Sequence, residues 1–181
     1  MRFRTTRTFI MTDQELRALQ APLKERYKTD PATAQATITV RGTLDLPRLA
    51  CRIETGRGPV TEAGLHPLAG GDGSFACSAD MLLESLVGCA GVTLSAVATA
   101  MNIPITAGTL TAEGDLDFRG TLGVAKDAPI GFTAIRLRID LHTTADDSQL
   151  EKLARLTERY CVVAQSLSDA ARPTVTCVRA G

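Results

Sequence analysis

The stretch Met81-Leu-Leu-Glu-Ser-Leu-Val-Gly-Cys-Ala-Gly-Val-Thr-Leu-Ser-Ala-Val-Ala-Thr-Ala-Met101 is apolar or small on every face of a helix. Ser78-Ala-Asp80 stands before it as an N-terminal cap and Asn102-Ile-Pro104 ends it. A helix without a polar face is either buried or in a membrane. About 20 residues would just span a bilayer, but Asp80, Glu84, four hydroxyl residues and strand-like segments on both sides argue for a core helix.

Outward from this helix the pattern is β. Gly108 to Phe118 and Phe132 to Leu141 alternate, most clearly in Ile135-Arg-Leu-Arg-Ile139, where the arginines face water and the aliphatics face inward. The two segments are expected to pair. Upstream, Ala36-Thr-Ile-Thr-Val40 and Leu49-Ala-Cys-Arg-Ile53 read as a hairpin, and the glycine-rich run from Gly56 to Gly73 reads as a loop that closes over a site. Downstream, Asp146 to Tyr160 carries Leu150, Leu153 and Leu156 on one helical stripe, Cys161 to Ala171 reads as a second short helix, and Thr174 to Val178 as a last strand. The class is therefore α+β. Thr12 to Tyr27, with Thr12 and Asp13 ahead of Glu15 as capping candidates, is an exposed helical appendage, which divides the chain into an extension (1–33) and one domain (34–181).

Composition narrows the partners. The 181 residues carry 20 basic and 20 acidic side chains and no tryptophan. There is thus no basic field for a polyanion and few platforms for stacked bases, so nucleic acid is not expected. The two histidines, His66 and His142, have no cysteine, histidine or carboxylate at ligand spacing, so neither a metal nor a cofactor is expected. Arg2, Arg4 and Arg7 lead into Met11-Thr-Asp with no apolar stretch, which suggests a cytoplasmic protein whose translation starts at Met1 or Met11.

Five cysteines, Cys51, Cys77, Cys89, Cys161 and Cys177, form no CxxC pair and no even framework. Cys89 lies midway along the apolar helix between Gly88 and Gly91, which leave room around it. The residues alone leave open whether it is a small buried hydrophobe or a reactive thiol. Cys161 opens a short helix after Arg155, Glu158 and Arg159, where free N–H groups and cations are expected to lower its pKa.

Ser78-Ala-Asp-Met-Leu-Leu-Glu-Ser-Leu-Val-Gly-Cys89-Ala-Gly and Glu158-Arg-Tyr-Cys161-Val-Val-Ala-Gln-Ser-Leu167 resemble the two cysteine motifs of the OsmC family, which includes the organic hydroperoxide resistance proteins. Gly114-Asp-Leu-Asp-Phe-Arg-Gly-Thr-Leu-Gly123 lies between them in the family's order, and the resemblance covers roughly Ala34 to Val178. It implies antiparallel sheets around a long buried helix, an intertwined homodimer, and a peroxidase that reduces organic hydroperoxides. Cys89 would match the peroxidatic cysteine and Cys161 the resolving one, with a dithiol as reductant; a membrane partner is not expected, because the residues of the apolar helix already favour burial.

The resemblance also implies an arginine from the first hairpin, held by an acid upstream of the peroxidatic cysteine. Arg41 is the best match, with Arg48 and Arg52 as alternatives; Asp80 holds the acidic position and Glu84 could replace it. Nine residues turn a helix two and a half times, so Asp80 would serve Cys89 only through the arginine. A charge at Glu84 in an apolar helix calls for a partner. The family commonly has proline where Ala79 and Val162 stand here. A non-catalytic module binding a small lipophilic ligand in the interface cavity is the rival reading; a disulfide reductase or redox sensor is a third.

Overall fold

The computed structural model describes residues 11–54 and 60–180. The readings of the arginine-rich first ten residues and of Gly56 to Pro59 in the glycine-rich run lie outside them.

Helix α1 (Asp13–Thr29) is capped by Thr12 in a capping box with Glu15, the two ends satisfying each other's N–H groups at 3.2 and 2.8 Å. It buries no residue. After a 3-10 turn (Pro31–Ala34) comes the first sheet, β1 (Arg41–Asp45), β2 (Ala50–Glu54), β3 (Thr61–Gly64) and β4 (Ala76–Cys77), in that spatial order. The hairpin exists, but its first strand is displaced from the expected Ala36–Val40. Among the described residues the register runs from Asp45 opposite Ala50 to Arg41 opposite Glu54, and Ala36–Val40 lies before the strand. Leu49 closes the turn with φ of 49°, a left-handed conformation uncommon for leucine. The glycine-rich run is more ordered than a loop, since it contains β3 and a 3-10 turn at Pro67–Ala69.

The second sheet places β6 (Ala134–Thr143) between β5 (Ile105–Asp115), antiparallel, and β7 (Thr174–Arg179), parallel. Ile135, Leu137, Ile139 and Leu141 are buried while Arg136 and Arg138 are exposed, as the alternation requires. Against the buried face pack α2 (Ser78–Ala100) and α4 (Asp147–Tyr160). Each fully buried leucine or isoleucine contributes about 1.5–3 kcal/mol, and this layer holds most of them. Helix α3 (Phe118–Thr121) sits in the β5–β6 connection. The expected helix from Cys161 to Ala171 is broken into α5 (Val162–Ser166) and a 3-10 turn at Asp169–Ala171.

Helix α2 corrects one expectation. Its buried stripe is Leu86, Ala90, Leu94 and Ala98, spaced by four, while Glu84, Ser85, Gly88, Val92 and Ser95 are exposed, Val92 by 74%. The helix is long and apolar enough to cross a membrane by length and composition, yet one face is seated on the sheet and α4. Its first residue also differs, because Cys77 occupies the cap position without a side-chain hydrogen bond and Ser78 and Asp80 already lie in the first turn.

Candidate active site

Cys89 projects from the middle of α2, half-buried, and Cys161 occupies the junction where α4 ends and α5 begins, with 1% exposure. The stripe that seats α4 on α2 continues through Leu150, Leu153, Ala154 and Thr157 to Cys161. This packing brings the two thiols close enough for each to shift the other's proton affinity, across 72 residues of chain. Of the flanking glycines, Gly88 opens on empty space and Gly91 faces Leu110 at ordinary contact distance.

Burial pushes the Cys89 thiol up, but the N–H of Val163, the Cys161 thiol, the N–H of Val162 and the Thr93 hydroxyl outweigh it, leaving Cys89 below the ordinary cysteine value. Cys161 moves the other way. Burial raises it, the Cys89 sulfur adds to the rise, and the N–H groups of Ala164 (3.5 Å) and Val163 offset only part. The expectation that the start of the short helix would acidify Cys161 is thus corrected: the Ala164 amide reaches its sulfur, but burial and the neighbouring Cys89 outweigh it. Cys89 is the first of the pair to become a thiolate.

The expected ionic partners are elsewhere. Arg41 and Arg52 are exposed on β1 and β2. Arg48 is held by Asp45 at 2.5 Å and Glu62 at 2.8 Å, over the Phe75 ring. The strongest influences on the Cys89 sulfur include no guanidinium. Asp80 and Glu84 are exposed and border a surface groove of about 480 Å³ that reaches Gly88. Glu84 therefore faces solvent in this chain and calls for no partner.

His66 stacks on Phe118 at 4.7 Å, and its Nδ1 accepts the Leu68 N–H at 3.0 Å. It lines an apolar cavity of about 380 Å³ with Cys77, Leu82 and Phe132, apart from the two facing thiols. Among the described residues no group of three or more metal-binding side chains converges. Sequence reasoning missed Thr93 and the amides of Val162 and Val163. Thr93 was within reach, one helical turn after Cys89.

Two facing thiols of unequal acidity, one on the long helix of a two-sheet domain, define a dithiol protein of α+β architecture. A family model described as OsmC-like protein matches residues 71–176, more than half of the chain. The chain belongs to the OsmC family.

No curated protein matches it by sequence. Among solved structures, an OsmC-like protein from Mycoplasma pneumoniae superposes with a TM-score of 0.66 at 15% identity, over 81% of this chain and 99% of the other. An organic hydroperoxide resistance protein from Elizabethkingia anophelis gives 0.66 at 14%, over 81% and 98%. One from Bacillus subtilis gives 0.58 at 16%, over 79% and 98%. At these identities the likeness is one of fold.

Proposed function

We propose that this chain is a thiol-dependent peroxidase that reduces organic hydroperoxides. The observation that carries the reading is the proximity of Cys89 and Cys161, each shifting the other's proton affinity, with the more accessible residue also the more acidic. The Cys89 thiolate attacks the peroxide O–O bond; with one proton taken up, the alcohol leaves and Cys89 becomes a sulfenic acid. The Cys161 sulfur then attacks that sulfur, its proton leaves with the hydroxyl as water, and a disulfide forms. A dithiol reductant restores both thiols and is itself oxidised to a disulfide. Free thiols of this kind suit the reducing cytoplasm.

A homodimer belongs to the same reading. The first sheet buries only Ala50 among its described residues, Ile38 is 91% exposed beside it, and Val92 stands out on α2. Exposed Arg41, Asp80 and Glu84 are the groups that the resemblance would pair, and in this reading they pair across the two copies. Consumption of an alkyl hydroperoxide in the presence of a dithiol tests the function, with equal rates for wild type and Cys89→Ser as the result that sinks it. The cavity beside His66 supports the second reading, a site for a small lipophilic ligand.

A further inference from the structure

Thr157 is fully buried, and its Oγ1 is the only buried side-chain nitrogen or oxygen among the described residues without a hydrogen-bond partner. Enclosure at 0% exposure keeps solvent and any second copy away from it. Threonine in a helix ordinarily spends its hydroxyl on the carbonyl one turn back; here that bond is not made and the O–H is left over. An apolar side chain of the same shape would avoid the loss, because a buried donor without an acceptor costs stability.

Its place in the fold suggests a use. Thr157 lies one helical turn before Cys161, whose N–H donates to the Thr157 carbonyl at 2.9 Å, and both side chains belong to the buried stripe of α4. The one hydrogen bond received by the Cys161 sulfur within ordinary limits is that from the Ala164 N–H, at 3.5 Å. A buried sulfur with so little support carries negative charge poorly.

We propose that the Thr157 hydroxyl is the spare donor for Cys161, turning toward its sulfur when that sulfur carries charge and so acting as a positioning residue in the disulfide half of the cycle. This rests on the peroxidase reading. In that reading the reductant thiolate attacks the more accessible Cys89 sulfur, the S–S bond breaks, and its electron pair leaves on Cys161 as a thiolate. The Thr157 O–H donates to this thiolate until it takes up a proton. The reductant's second thiolate then releases Cys89 and closes the reductant's own disulfide. A better-stabilised leaving thiolate leaves faster.

The titratable group facing Cys161 is Cys89 from α2, while Arg155 and Arg159 on α4 are exposed, Glu158 is half-exposed, and Cys177 is half-buried on β7. The titration is therefore done with Cys89→Ala, following the cysteine β-carbon NMR shift of Cys161 against pH in full-length protein carrying Thr157, Thr157→Val or Thr157→Ser. In parallel, the Cys89–Cys161 disulfide is formed with diamide in protein retaining Cys89, and its reduction by dithiothreitol is timed.

Thr157→Val is expected to raise the Cys161 midpoint and slow reduction by roughly threefold to tenfold, with thermal stability unchanged or higher and Thr157→Ser restoring both readouts. Unmoved titration and rate, or an effect that serine does not rescue, would overturn the proposal. Failure of hydroperoxide turnover in the wild type would sink the peroxidase reading, while the titration would still report on Thr157.

Discussion

Cys161 lies beside Cys89, and the amides that follow it in the chain, Val162 and Val163, help to hold the Cys89 thiol below the ordinary cysteine value. One short junction thus supplies both a second thiol and the donors that acidify the first. At limiting alkylating reagent and neutral pH, peptide mapping should find Cys89 labelled before Cys161 and Cys177. After treatment with hydroperoxide, Cys161→Ser should leave a trappable sulfenic acid on Cys89, and the wild type a Cys89–Cys161 disulfide.

Val162 occupies a position where the family commonly has proline, and that difference leaves an N–H that lowers the Cys89 pKa. Proline lacks this donor but is tolerated at the first position of a helix, and Cys161 before it already has the extended conformation (φ −75°, ψ 109°) that proline demands. Val162→Pro should therefore fold normally and raise the Cys89 pKa. The readout is alkylation of Cys89 at neutral pH, slower by about threefold to tenfold.

Cys177 reports on a different part of the molecule. It packs against the core from β7, and burial pushes its thiol up to about 11 from an ordinary 9.0. The folded protein holds this proton more tightly than the unfolded chain. The corresponding stability is therefore complete below pH 9 and is lost as pH rises toward about 11. Denaturant titrations across that window should show stability falling in the wild type and a flatter profile in Cys177→Val.

The second sheet and α4 were legible in the sequence because their burial repeats at regular periods, two in Ile135–Leu141 and near four in α4; α2 was legible as an unbroken apolar run, but its buried stripe of Leu86, Ala90, Leu94 and Ala98 was not. β1 was misplaced since Ala36–Val40 has the better β-branched alternation, whereas the turn at Leu46–Leu49 places Asp45 opposite Ala50 and sets the register. Periodicity carries no information about a partner strand's end. The thiol pair was visible only through resemblance, because its contact depends on how α4 lies across α2. Which cysteine is the more acidic depended on how deeply each is buried and on which backbone amides lie near it, and no side-chain pattern encodes that.

Val92 tests the assembly. Its side chain is 74% exposed on the face of α2 opposite the core stripe, between the small residues Gly88 and Ser95. On a monomer, lysine there would be nearly neutral for stability, since exposed substitutions usually change it by no more than about 0.5 kcal/mol. Against a second copy, two lysines would be brought into an apolar contact and would have to be desolvated. Val92→Lys should therefore lower the dimer fraction in sedimentation while circular dichroism stays unchanged. Leu153→Ala, in the fully buried layer, should instead cost about 2–5 kcal/mol in denaturant unfolding. A wild type that sediments as a monomer at every concentration would remove the proposed homodimer, and with it the proposed pairing of Arg41 with Asp80 and Glu84.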